Sequence, residues 1–167
     1  MPFDVLRWVV QFLHVFSGVL WIGGGFYTLL VQLPAVLAAP APSRGPVLAE
    51  VGPRQIRYLL RVAEVTIATG ILNAILTGRL AHLSETPLWS WVIGLGFVLA
   101  VGLYVFLQTA VKPLLFRMLA LGRATAGGDS GAAAQMPALV DRFRRLGYAQ
   151  IGIGALIVLL MVTARFS

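Results

Sequence analysis

The chain has 167 residues, of which 59% are hydrophobic and only 11% are charged, and it carries a formal net charge of +7 at pH 7. A soluble domain has about 25% charged residues, so this composition excludes an ordinary soluble domain and indicates an integral membrane protein. The absence of cysteine excludes disulfides, thiolate metal sites, iron–sulfur clusters and covalently attached c-type haem.

Four blocks of apolar residues are each long enough to cross a hydrocarbon core about 30 Å thick. The sequence therefore predicts an all-α, four-helix transmembrane bundle with helices over residues 7–37, 55–80, 88–121 and 137–164. Residues 1–167 are expected to form a single transmembrane domain. The first block is longer than the apolar region of a signal peptide, so we predict that it is not cleaved.

The segments between these helices are predicted from their proline, glycine and polar content. Pro34 and the proline-rich run at 38–42 are expected to end the first helix, and residues 43–54 are expected to form a polar loop. Residues 124–135 contain several glycines and are predicted to be a flexible connector. Helices three and four are expected to continue beyond the bilayer as basic extensions, with a kink at Pro113.

The distribution of basic residues predicts the orientation of the chain. With four spans, the termini and the 81–87 loop share one side, and that side carries three of the thirteen Lys and Arg residues: Arg7, Arg79 and Arg165. The opposite side carries ten: Arg44, Arg54, Arg57, Arg61, Lys112, Arg117, Arg123, Arg142, Arg144 and Arg145. The positive-inside rule then places both termini outside the cytoplasm and Trp8, Trp89 and Trp91 at the outer interface. We predict a multi-pass protein of the cell inner membrane. The same reasoning attributes the net charge to cytoplasmic loops and not to nucleic-acid binding.

His14 is the main candidate for chemistry, because polar groups within lipid are costly and often functional. On the helix it stacks with Ser17, Gly18, Trp21, Gly25 and Thr28. Small residues beside an imidazole suit a flat macrocycle, and neutral imidazole is the usual axial ligand of b-type haem. The alternative is that His14 hydrogen-bonds a neighbour such as Asn73, at a similar predicted depth, while the glycines serve helix packing.

Two further groups of residues have both a structural and a functional interpretation. Arg57, Arg61 and Glu64 share a face of the second helix, where Arg61 and Glu64 can pair; otherwise the arginines could bind haem propionates, quinone oxygens or lipid headgroups. His82 is predicted to be a solvated loop residue that reaches His14 only if the loop folds inward.

The run from His14 to Gly25, HVFSGVLWIGGG, resembles the first helix of a membrane superfamily. This superfamily includes copper-resistance D-type proteins and the haem-binding membrane proteins of the bacterial protoporphyrinogen oxidase type. The segments RYLLR at 57–61 and DRFRR at 141–145 are similar to the starts of later helices in the family. The resemblance implies that His14 is an axial ligand of haem b. The second ligand is left open between His14 of a second copy, His82 and an open position, because the start of the third helix has no basic residue.

Three functions are therefore considered. The first is a haem b-binding redox membrane protein, either an electron carrier or a small oxidase-like enzyme, with His14 as the metal ligand. The second is a non-catalytic accessory subunit of a larger membrane complex, since few polar groups lie within the spans. The third is a copper or small-solute transporter. The expected partners are the lipid bilayer and either a second copy or subunits of a larger complex.

Overall fold

The computed structural model of the protein describes residues 2–84 and 87–166, with side chains except those at positions 2, 3, 79 and 82. The elements are α1 (Pro2–Tyr27), a π-helical turn (Thr28–Gln32), α2 (Leu33–Ala38), α3 (Ala41–Leu76), a 3-10 turn (Arg79–His82), α4 (Pro87–Phe106), a second π-helical turn (Leu107–Val111), α5 (Lys112–Ala126) and α6 (Ser130–Arg165). The described part of the chain contains no strand.

These elements join into four long helices, each of sufficient length and apolar character to cross a membrane. They are Asp4–Ala38, Ala41–Leu76, Pro87–Ala126 and Ser130–Arg165. The all-helical prediction with four long apolar helices is confirmed. We call the end of the bundle near Leu76 and Pro87 the termini end, and the end at the 39–40 and 127–129 turns the connector end.

The predicted polar loop at 43–54 is wrong, because these residues are helical and belong to α3, Ala41–Leu76. Leu48, Gly52 and Ile56 recur every four residues, which places them on one face of the helix. Gly52 and Ile56 are buried, and Leu48 is partly buried against the core. This apolar stripe gives the segment a packing partner despite its prolines and charges.

The predicted flexible connector at 124–135 is also wrong, because α5 continues to Ala126 and α6 begins at Ser130. The turn is only three residues long. Gly128 adopts a φ of 95°, which strongly favours glycine. The carboxylate of Asp129 accepts a hydrogen bond of 3.0 Å from the backbone N–H of Ala132, so this residue is the N-cap of α6.

The prediction that Pro34 helps to end the first helix is wrong, because the helix continues to Ala38. Pro34 and Pro113 are both accommodated within continuous helices by the two π-helical turns. In the first turn the N–H of Leu33 donates to the carbonyl of Thr28, and in the second the N–H of Lys112 donates to that of Leu107. Each bond spans five residues and lies directly before the proline. Because the proline ring clashes with the carbonyl four residues earlier, a wider turn at this place relieves the contact.

The core of the bundle is formed mainly by two helical hairpins. The first long helix packs chiefly on the second, and α4 and α5 pack on α6. Residues from all four long helices meet in the central cluster: Trp21, Ile56, Leu60, Ala63, Leu103, Leu107, Val111, Leu115, Leu119 and Ile157. Trp21 is 2% exposed and Leu107 is 0% exposed, so the middle of the bundle is filled by side chains.

The three tryptophans predicted at one interface have different environments. Trp8 and Trp91 are exposed on the surface of the bundle. Trp89 is buried and packs with Val92 and Ala164. Its ring therefore contributes to packing at the termini end of the second hairpin.

Candidate functional site

His14 lies in the contact between the first and second long helices. Its Nδ1 is 2.9 Å from the backbone carbonyl oxygen of Thr66. A Cβ atom at Gly70 would lie 2.8 Å from Cε1 of the imidazole. The ring thus occupies the space that a side chain at Gly70 would fill, and it is partly exposed.

The hydrogen bond to Thr66 determines the tautomer of His14. A carbonyl oxygen can only accept, so Nδ1 must carry the proton and donate it. In the neutral imidazole, Nε2 then holds the lone pair. Nε2 has no hydrogen-bonding partner among the described residues. His14 therefore presents an oriented nitrogen ligand, and a hydrogen bond from the opposite ring nitrogen is typical of metal-binding histidines.

Ser17 and Gly18, the next residues of the predicted stripe, also contact the second helix. The Thr66 hydroxyl lies 2.9 Å from the Ser17 hydroxyl, which is itself 2.6 Å from the carbonyl of Leu13. A Cβ at Gly18 would lie 3.6 Å from the methyl group of Thr66. The structure therefore brings His14, Ser17 and Gly18 together around Thr66.

Trp21 and Gly25 lie deeper in the bundle and face the fourth helix. Both lie beside Gln150, and a Cβ at Gly25 would lie 2.7 Å from Nε2 of Gln150. The indole nitrogen of Trp21 is buried and has no hydrogen-bonding partner among the described residues. The small residues of the stripe are thus packed against protein and do not form an open face for a macrocycle.

Asn73 forms a second polar contact between the same two helices, near the termini end. Its amide nitrogen lies 2.6 Å from the side-chain oxygen of Gln11, one turn before His14. The contact partner of His14 is therefore Thr66 and not Asn73. Together the two contacts make a polar seam that joins the first hairpin.

The predicted pair of Arg61 and Glu64 is confirmed, with 2.8 Å between a guanidinium nitrogen and a carboxylate oxygen. The second carboxylate oxygen accepts a hydrogen bond of 2.9 Å from Tyr104 in the third long helix. From there, contacts of 3.1 and 3.2 Å continue through Gln108 to Lys112. This row of side chains links the two hairpins. The structure does not bring it to His14.

Arg57 lies outside both polar groups, with its Nε donating over 3.2 Å to the carbonyl of Pro53 in its own helix. Sequence reasoning missed Tyr104, although its spacing of four and eight residues from Gln108 and Lys112 places all three on one helix face. The side chain of His82 lies outside the described part of the structure.

The described residues contain no cluster of three or more His, Cys, Asp or Glu side chains able to hold a metal ion. A metal at His14 would therefore need its other ligands from a macrocycle or from another molecule. No protein-family model, curated protein or solved structure matches this chain.

Proposed function

We propose that this protein is a haem b-binding redox membrane protein, an electron carrier or a small oxidase-like enzyme, with Nε2 of His14 as an axial ligand. The observation that carries the proposal is the hydrogen bond from Nδ1 of His14 to the carbonyl of Thr66. It holds the imidazole in the tautomer and orientation that leave Nε2 as a ligand.

The residues around His14 fit haem only in part. Ser17, Gly18 and Gly25 make contacts with Thr66 and Gln150, so they support the helices that hold His14 and not the macrocycle itself. Haem b, when bound, supplies one-electron chemistry at its iron. The role of this chain's residues is to orient the imidazole through the carbonyl of Thr66.

The proposal includes insertion of all four long helices into a membrane with both termini on the non-cytoplasmic side. It is supported by nine Lys and Arg residues nearer the connector end against three at the termini end, with Arg61 in the middle part of α3. Cytoplasmic segments are enriched in these residues. His14 would then lie in the half of the bundle nearer the outer surface.

The test is the visible absorption spectrum of the protein, purified in a gentle detergent from cells with ample haem and then reduced with dithionite. We expect a Soret band that His14→Ala removes or shifts strongly. His82→Ala is the comparison, since these are the two histidines of the chain: an unchanged band would exclude His82 as the second ligand, and a shifted band would assign it that role.

The wild-type spectrum and the purified species separate this function from its alternatives. A folded wild-type protein without a Soret band would overturn the proposal. A band that His14→Ala leaves intact would show that another residue binds the iron. Stoichiometric copurification of other subunits, without haem in this chain, would support the accessory function instead.

A further inference from the structure

A cavity of about 50 Å³ lies between the four long helices, in the half of the bundle nearer the connector end. Its polar lining consists of Thr28, Gln32, Gln55 and Gln150, and the other ten of its fourteen lining residues are apolar or glycine. Both π-helical turns border it, through Thr28 and Gln32 in one and Leu107 and Val111 in the other. Such turns are frequent at functional sites.

Two of the glutamines in this cavity lack hydrogen-bonding partners. Gln150 is 9% exposed, and its amide makes no hydrogen bond with the described residues. Oε1 of Gln32 is also buried without a partner there. An unpaired buried polar group costs about 1–3 kcal/mol. Oε1 of Gln32 is such a group, and together with the unbonded amide of Gln150 beside the same cavity it indicates a molecule that pairs with both.

The other two polar residues of the cavity are bonded to each other. The amide of Gln55 donates to the hydroxyl of Thr28, which in turn donates over 2.6 Å to the carbonyl of Gly24. Gln32 and Gln150 make no hydrogen bond with the described residues and are thus the groups most available to a guest. The side-chain oxygen of Gln32 can accept a hydrogen bond from the guest, and the side-chain amide of Gln150 can both accept and donate one.

The chemistry of the lining selects against an ion. None of the fourteen described lining residues is charged, and an isolated charge in such surroundings would lose its hydration without compensation. A water needs roughly 10–15 Å³ and two to four polar partners. The volume thus has room for about three or four water-sized groups, but the two free amides cannot satisfy that many separate waters across apolar walls.

We infer that this cavity binds one small, uncharged, hydrogen-bonding solute of about four non-hydrogen atoms. The solute spans the gap between Gln32 and Gln150 and lies against apolar side chains. Leu107 is part of the cavity wall, and Trp21 and Leu103 fill the middle of the bundle beyond it. The site is therefore closed toward the termini end, which suits binding and not passage through the bundle. This inference is independent of haem.

The test uses acetamide and acetate, which have the same number of non-hydrogen atoms and an observable methyl group, and differ in charge. Saturation-transfer NMR with the purified protein should show transfer to acetamide at least five-fold greater than to acetate. The net charge of +7 favours acetate at the surface, so non-specific binding acts against this result. Gln150→Leu should reduce the acetamide signal at least five-fold.

Gln135→Leu is the matched control, because Gln135 is exposed and does not line the cavity, and it should retain the signal. Gln32→Leu provides a second variant if Gln150→Leu does not fold, and should reduce the signal similarly. Equal transfer to acetamide and acetate would overturn the inference. The inference is also overturned if neither cavity variant reduces the acetamide signal. The same holds if the wild-type protein shows no transfer to acetamide because only water enters the cavity.

Discussion

Gly70 determines where the imidazole of His14 can lie. The residue has no side chain, and the ring occupies the space beside its Cα, with 2.8 Å from Cε1 to the position of a Cβ. That approach lets Nδ1 reach the carbonyl of Thr66. The second helix therefore orients His14 through its backbone.

We predict that Gly70→Ala displaces the imidazole and breaks its hydrogen bond to Thr66. Overpacking costs about 1–3 kcal/mol, which exceeds the gain of up to about 1 kcal/mol in helix propensity. The free energy of unfolding in detergent should therefore fall. The control is Gly94→Ala, because a Cβ there meets no atom within 4 Å, and its stability should be unchanged or higher. If the two substitutions change the free energy of unfolding equally, the imidazole of His14 moves aside without an energetic cost and the prediction is wrong.

Sequence reasoning identified His14, Ser17 and Gly18 as one helix face, because spacing along a helix fixes which side chains share a face. It did not identify Thr66 or Gly70 as their partners. The register between two helices depends on side-chain packing, and the acceptor of His14 is a backbone carbonyl, which every residue possesses. The same limit hid Tyr104 as the partner of Glu64, 40 positions away in the sequence.

At the scale of elements, the two hairpins share an arrangement that the sequence did not reveal. Each has a five-residue π-helical turn followed by one residue and then a proline, Pro34 in the first and Pro113 in the second. The two turns, TLLVQ and LQTAV, share Thr, Leu, Val and Gln but match at no position. The proline imposes the wider turn in each case, so the geometry recurs although the order of residues does not.

The helix extensions were mispredicted because glycine, proline and charge suggest a loop when counted without regard to periodicity. In the turn before α6, the decisive feature is local. Gly128 supplies the positive φ, and Asp129 caps the helix through the N–H of Ala132. Ala132 is 2% exposed, which shows that the first turn of α6 is packed and ordered.

We predict that Asp129→Ala lowers the free energy of unfolding by about 1 kcal/mol, because the N–H of Ala132 loses its acceptor. Asp129→Asn should keep most of the stability, since its side-chain oxygen can also cap. Asp141→Ala is the control, because its exposed ion pair with Arg144 contributes less than about 1 kcal/mol. Chemical unfolding of the three variants in the same detergent measures the differences. An Asp129→Ala effect no larger than that of Asp141→Ala would contradict the cap.

At the scale of the whole molecule, the helices are longer than a bilayer requires. A helix of 36 residues, such as Ser130–Arg165, is about 54 Å long, against a hydrocarbon core of about 30 Å. Residues 65–76 of α3 and 146–164 of α6 contain no charged residue, so the excess length of these two helices projects at the connector end. Basic residues lie at the same end, and the cost of removing them from water would oppose transfer of the connector end across a membrane.

We therefore predict opposite accessibility for two exposed serines at the two ends of the bundle. In intact cells, a membrane-impermeant maleimide should label Ser84→Cys, which lies at the termini end. It should label Ser130→Cys, at the connector end, only after the membrane is permeabilised. The chain has no native cysteine, so each label reports one position, and the unsubstituted protein is the control for background.

The pattern of labelling distinguishes a wrong orientation from a wrong number of crossings. If only Ser130→Cys is labelled in intact cells, the orientation is the reverse of the proposed one, and the four membrane crossings are retained. Equal labelling of both serines would place the two ends on one side, which contradicts membrane crossing by the helices that connect them. Nine cations nearer the connector end oppose translocation, and only three lie at the other end. Neutralising the arginines around residue 142 should therefore raise the labelling of Ser130→Cys in intact cells if charge sets the orientation.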